Sequence, residues 1–212
     1  MQIGLKIRHI VGCFIPTSYK LFLIRLFNRL KARYALKHNS DVKLEIGSGP
    51  HKRQGWLTLD ISWDSDFYWD LMKQLPFPDE SLRMIYSSHT LEHFTYKQLV
   101  RILKDCHRVL KNGGIFSAAV PNARTYLLGY VNPKDFPRSF LQYRAAVISE
   151  TPIDFVNYIA YMDGHHRHMF DEENLVRLVR EAGFSNVRLR KFDPGLDLLG
   201  RDYETIYVEA VK

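Results

Sequence analysis

Apolar positions along the chain follow two periods, and the switches between them mark out its elements. From Tyr19 they recur at Phe22, Leu23, Leu26, Phe27, Leu30 and Tyr34, which predicts a helix with Ser18 as its cap. Residues 43–46 predict a short strand that turns at Gly47-Ser48-Gly49-Pro50, and residues 56–61 a second strand ending at Asp60-Ile61. Residues 66–71 read as a short strand or loop edge, 75–81 as a turn-rich connection, and 83–87 as a core strand leading into Ser88-His89-Thr90-Leu91-Glu92-His93. Leu99, Ile102, Leu103, Cys106, Val109 and Leu110 give residues 95–110 a helical period, with a left-handed stop at Lys111-Asn112-Gly113-Gly114. Residues 115–120 form a buried strand closed by Pro121. Asp171 caps a helix that runs to Ala182 and stops at Gly183, and strands follow at 187–192 and 206–211. Strands alternating with helices predict an α/β fold on a mostly parallel sheet.

Two stretches break the alternation. Residues 122–167 are an irregular helix-and-loop insertion rich in tyrosine, while residues 1–40 form a basic segment ahead of a body at 41–212. The chain has 212 residues and a net charge of +7, with 46% hydrophobic and 13% aromatic residues, enough for one well-filled domain. Eight of its 30 Lys and Arg lie within residues 1–40, which contain no Asp or Glu, leaving 22 basic against 23 acidic residues in the body. A nearly neutral body argues against DNA or RNA as substrate. Cys13 and Cys106 have no metal-type spacing and read as reduced cysteines of a cytoplasmic protein.

The N-terminal segment does not read as a membrane span, because Lys20 and Arg25 interrupt every long apolar run, nor as a cleaved signal peptide. Two readings stand. The helix packs on the domain and covers a substrate cleft, or residues 1–37 lie as a basic amphipathic helix on the anionic inner membrane surface.

Gly47 and Gly49 permit a tight turn that brings backbone N–H groups close to a ligand, and Asp60 is placed to accept from a ribose diol. Only eleven positions separate Gly49 from Asp60, where a dinucleotide fold typically has about twenty between its glycine motif and its acid. Lys52 stands where the third glycine of that motif belongs. Both facts argue against a dinucleotide, and no full helix fits between the first two strands.

The order of Leu44-Glu45-Ile46-Gly47-Ser48-Gly49, Leu59-Asp60, Asp70-Leu71, Leu75-Pro76-Phe77-Pro78-Asp79, Leu91-Glu92-His93 and Arg108-Val109-Leu110-Lys111-Asn112-Gly113-Gly114 resembles the class I S-adenosylmethionine-dependent methyltransferases. Glu181-Ala182-Gly183-Phe184 also fits. The resemblance covers roughly residues 42–211 and is strongest to the small bacterial type often associated with surface-polysaccharide biosynthesis. It implies a Rossmann-like seven-stranded sheet of order 3-2-1-4-5-7-6 with its last-inserted strand antiparallel, and S-adenosylmethionine as cofactor. It implies that Gly47, Ser48 and Gly49 pass the methionine part, Glu45 its amino group, Asp60 with Ile61 the ribose, Asp70 and Leu71 the adenine, and Ser88 the methyl side.

A hydroxyl acceptor must lose a proton, and histidine is the side chain suited to take it. His93 is the leading candidate, His89 a weaker one, and His166 or His168 candidates from the cluster 165–168. A metal there would need Asp163 or Asp171 as partner, and no metal is assigned. The tyrosines of the insertion form its core or a platform for a flat acceptor. Arg124, Arg138 and Arg144 are candidates to hold an anionic acceptor. The expected activity is O-methylation of a sugar or lipid-linked glycan intermediate. Small aromatic or lipid-like acceptors, and a non-catalytic cofactor-binding scaffold, are the alternatives.

Overall fold

The computed structural model describes residues 17–212. Residues 1–16 of the basic segment lie outside the described residues, so the N-terminal expectations are answered from Thr17 onward. In chain order the elements are α1 (Thr17–His38), β1 (Lys43–Ile46), β2 (Leu57–Asp60), β3 (Phe67–Tyr68), β4 (Leu82–Ser88), α2 (Tyr96–Val109), β5 (Leu110–Pro121), α3 (Ala123–Val131), α4 (Ile153–Tyr161), α5 (Glu172–Glu181), β6 (Ser185–Arg190) and β7 (Thr205–Val211).

The seven strands form one sheet in the order β3-β2-β1-β4-β5-β7-β6. β1 pairs in parallel with β2 and β4, bringing Ile46 opposite Leu59 and Ser87, so the ends of these three strands share one rim. β7 runs antiparallel to both β5 and β6. One face of the sheet is filled by Leu44, Ile46, Ile85 and Phe116 under α2 and α5, which bury Leu99, Leu103, Leu175 and Leu178. No helix lies between β1 and β2. A smaller cluster of Tyr86, Ala119, Tyr207 and Leu196 forms instead, with Leu196 contributed by the loop after β6. Side chains alternate across a strand, so Ile85 and Tyr86 serve opposite faces. The insertion has its own cluster, built on Tyr126, Phe155, Tyr158 and Ile159.

Several boundaries differ from the sequence expectation. Ser18 lies inside α1, not at its start. The stop after α2 is not a left-handed turn at 111–114. The helix ends at Val109, and Leu110 is already extended (φ −69°, ψ 142°) and paired with Leu82 in the sheet. Gly113, at φ +74°, instead belongs to the irregularity between the Leu82–Leu110 and Met84–Ile115 pairings. β6 begins at Ser185, ahead of the expected position 187, because its first pairing is Ser185 with Val211. Asp171 does cap α5, accepting the Asn174 N–H at 2.8 Å.

Helix α1 lies on the domain, but not through its apolar stripe. Asn28 and Ala32 are buried with Leu36 packed beside them, and the Asn28 amide donates to the Tyr68 carbonyl at 2.9 Å. Lys31 Nζ donates to the Asp66 carbonyl at 2.5 Å. The residues that share the predicted stripe face away from the protein.

Candidate active site

A crevice of about 470 Å³ opens at the carboxyl ends of β1 and β4, walled by Glu45, Gly47, Ser48, Gly49, Ser88 and the loop after β6. The glycine turn is held by three contacts. Gly47 N–H donates to the Leu59 carbonyl at 2.8 Å, Thr90 Oγ1 donates to the Gly47 carbonyl at 3.1 Å, and Gly49 N–H donates to Asp60 Oδ2 at 2.9 Å. Both glycines have left-handed φ, +69° and +58°. A Cβ on Gly47 would overlap Thr90, whereas a Cβ on Gly49 would meet nothing within 4 Å. The carboxylate of Asp60 also accepts the Ser62 N–H at 2.8 Å. A carboxylate takes about four hydrogen bonds, so Asp60 keeps lone pairs for a diol. Arg53 crosses this crevice: its Nε donates to Glu45 Oε2 at 3.2 Å and its terminal nitrogens to the carbonyls of Gly195 and Leu196 at 3.1 and 2.7 Å.

Beyond the end of β4 lies a second cavity of about 530 Å³, walled by His89, Glu92, His93, Tyr143, His166 and Arg201. His89 and Arg201 also line the crevice, so the two spaces share a wall. A left-handed backbone at His89 (φ +47°) turns the chain out of β4. The turn Leu91–His93 then presents its carbonyls to the end of the insertion: the N–H groups of Arg167 and His168 donate to the Glu92 carbonyl at 2.8 and 3.2 Å. That clamp brings the His166 ring to 5.4 Å from the His93 ring, centroid to centroid.

The hydrogen bonds determine which ring nitrogens are free. A carbonyl only accepts, so His93 Nδ1 donates to the His165 carbonyl (3.0 Å) and His166 Nδ1 donates to the Ile159 carbonyl (2.8 Å). In the neutral rings the Nε2 atoms are therefore the proton acceptors. Thr205 spends its hydroxyl proton on the Arg201 carbonyl, so His89 Nε2 donates to Thr205 Oγ1 at 2.9 Å and leaves Nδ1 bare. Burial, reinforced by nearby Arg201, pushes His89 down to about 2, and burial pushes His166 down to about 4. Burial raises Glu92 to about 8 against the opposing pull of Arg201, so this carboxyl is largely protonated at neutral pH. His89 Nδ1 and Glu92 Oε2 are buried without a partner, 3.8 Å separating His89 Nδ1 from the other Glu92 oxygen.

The profile of the family described as "Methyltransferase domain" matches residues 51–118, from just past the glycine turn into β5. That match spans about a third of the chain. In structure it is similar to an S-adenosylmethionine-dependent methyltransferase from Archaeoglobus fulgidus, at a TM-score of 0.51 and 16% identity over 89% of this chain and 94% of that one. It is also similar to a Thermotoga maritima protein titled an S-adenosylmethionine-dependent methyltransferase, possible histamine N-methyltransferase, at a TM-score of 0.52 and 18% identity over 97% and 99% of the two chains. At such identities the likeness is one of fold. No curated protein matches the chain in sequence. The crevice fits S-adenosylmethionine: open space over Gly49, a free Asp60 edge, and the Glu45 carboxylate in its wall.

Set beside the sequence expectations, Glu45, Gly47, Ser48, Gly49 and Ser88 all line the crevice, with Asp60 hydrogen-bonded to its turn. Ile61 is exposed just beyond. Asp70 is exposed and accepts the Met72 N–H at 2.8 Å, while the Leu71 side chain is packed into the core and leaves only its backbone to a ligand. His93 and His166 meet in the second cavity, but His168 does not. Its Nε2 pairs with Asn174 Oδ1 at 2.9 Å and its ring packs on Phe170. Tyr126 and Tyr158 are insertion core, and Tyr158 with Tyr143 also reaches the cavity. Arg124, Arg138 and Arg144 are occupied in ion pairs with Glu172, Asp154 and Glu150. The arginine in the cavity is Arg201, from the turn Leu199–Glu204, held by Glu204 at 2.8 Å. Neither Arg201 nor Arg53 lies in a motif that would have singled it out.

Proposed function

We propose that this methyltransferase transfers a methyl group to a hydroxyl oxygen of a sugar or lipid-linked glycan intermediate, with His93 as general base. The observation that carries the proposal is the pair of histidines whose Nδ1 atoms are tied to main-chain carbonyls, leaving both Nε2 atoms as proton acceptors in a cavity that shares a wall with the donor crevice. An amine acceptor needs only to arrive neutral, so such a pair supports oxygen over nitrogen. His166, pushed down to about 4, is the weaker base. His93 is exposed at the rim and can hand its proton to water. Bound S-adenosylmethionine supplies an activated methyl group on a sulfonium, whose loss leaves a neutral thioether. The acceptor oxygen forms the new carbon–oxygen bond while its proton passes to His93 Nε2. Alignment and exclusion of water supply most of the acceleration for so activated a donor. The protonated Glu92 offers a donor, and Tyr143 with Tyr158 an aromatic wall, as sugar hydroxyls and ring faces require. The surface-polysaccharide class rests on the family resemblance.

In the donor crevice, we assign Asp60 and Ile61 to the ribose, Glu45, Gly47, Ser48 and Gly49 to the methionine part, Asp70 and the Leu71 backbone to the adenine, and Ser88 to the methyl side. Calorimetry with S-adenosylmethionine tests this layer. Asp60→Ala is expected to weaken binding more than about tenfold, the loss of charged hydrogen bonds to a diol, and no heat from the wild-type protein would remove the cofactor assignment.

Transfer of labelled methyl groups to nucleotide sugars, glycolipids and aromatic alcohols tests the acceptor. His93→Ala is expected to lower turnover by about 100-fold or more with donor binding intact, whereas His168→Ala, outside the cavity, leaves turnover near wild type. Undiminished turnover in His93→Ala rules that base out. Transfer to aromatic alcohols alone replaces the sugar reading.

A further inference from the structure

Methyl transfer uses nothing on the outer face of α1, yet that face carries seven exposed large apolar side chains. Tyr19, Phe22, Leu23, Leu26, Phe27, Leu30 and Tyr34 are each between 40% and 68% exposed. At 100° per residue they cover a sector of about 140°, opposite the side on which Asn28 and Ala32 are buried. Arg25, Arg29 and Arg33 are exposed along one edge of the sector, and α1 contains no acidic residue. The other edge continues onto the loop after β2. There Trp63, 73% exposed, stacks on Tyr68 at 4.0 Å and shares a groove with Leu23 and Phe27.

We infer that this face, α1 together with Trp63, docks on an anionic phospholipid membrane. Phenylalanine and leucine enter the acyl boundary, arginines meet the headgroup phosphates, and Trp63 takes the interfacial position that suits a ring with one wet end. Charge decides against a second copy of this chain, because apposing two such helices would bring two acid-free cationic faces together. The loop that carries Trp63 follows directly on Asp60, whose carboxylate holds the Gly49 N–H of the crevice turn. The inference stands independently of the acceptor assignment.

Flotation of the full chain with vesicles of phosphatidylglycerol and phosphatidylcholine, against phosphatidylcholine alone, tests it. The wild-type protein is expected to float with the anionic vesicles, to be released by raised salt, and to blue-shift in tryptophan fluorescence. Trp63→Phe is expected to abolish that shift. The double variant Phe27→Asp, Leu30→Asp should lower partitioning at least about tenfold, and its thermal unfolding should match wild type because both residues are exposed. If its unfolding does not match, Arg25→Glu with Arg29→Glu serves in its place, with the same expected loss. Flotation unchanged by these variants, equal flotation on neutral vesicles, or no flotation at all would overturn the inference. So would a dimer in sedimentation equilibrium that the double variant dissolves, since a second copy would then occupy the face.

Discussion

Gly47→Ala is expected to destabilise the protein by about 3 kcal/mol and to lower S-adenosylmethionine affinity by about 100-fold or more, whereas Gly49→Ala costs about 1 kcal/mol. Both glycines have left-handed φ, so alanine pays about 1–2 kcal/mol of backbone strain at either position. The difference is what the new methyl group meets. At Gly47 it overlaps the Thr90 hydroxyl and methyl, and the backbone cannot retreat because Leu59 holds the amide and Thr90 the carbonyl. At Gly49 it stands in the open crevice, where it harms only the ligand. Urea unfolding and calorimetry on both variants separate stability from binding. The double variant Gly47→Ala, Thr90→Ala removes the hydroxyl and methyl but keeps the Thr90 Cβ 2.6 Å from the new methyl, so it should regain only part of the lost stability and none of the strain. A Gly47→Ala protein as stable as Gly49→Ala would show that Thr90 does not constrain the turn.

That turn was legible in the sequence because its parts are contiguous: an apolar strand, two glycines, and an acid eleven positions on. The Leu91-Glu92-His93 turn and the capped α5 are local in the same sense. The other parts of the site are assembled from a distance. Arg201 reaches the cavity only because β7 inserts between β5 and β6 and brings the turn before it to the end of β4. His166 and His168 are the same residue two positions apart. The Glu92 carbonyl clamp and the left-handed pair Met162 and Asp163 decide which of them enters. Periodicity identified the residues that share one face of α1, but a shared face does not say what it meets. Burial of the opposite face, through Asn28 and Ala32, answered that. The neutral state of Glu92 was equally hidden, since an acid in a motif reads as a charge until its surroundings are known.

Stability is expected to peak near pH 6.5 and to fall by about 2 kcal/mol on going to pH 8, at about 1.4 kcal/mol per pH unit for each unmatched proton. Glu92 is raised from 4.5 to about 8 by burial, so the folded chain holds a proton that the unfolded chain releases. Its contribution is complete below pH 4.5 and is lost as pH rises through 8. His89 and His166 are lowered from 6.5 to about 2 and about 4, so each contributes above 6.5 and loses that contribution as pH falls. Between about pH 4.5 and 6.5 the two histidines outweigh Glu92 and stability climbs. Above 6.5 they are neutral in both states, and Glu92 alone sets the slope. Glu92→Gln keeps the shape and removes the proton, so it should flatten the alkaline limb and steepen the acid one. Urea unfolding of both proteins at pH 5.5, 6.5 and 8 measures the slopes. A wild-type decline between 6.5 and 8 that Glu92→Gln retains would show that Glu92 does not hold the unmatched proton. A flattened limb means that the cavity beside β4 holds an O–H donor at Glu92 around pH 6.5, and that this donor is lost as the protein loses stability toward pH 8.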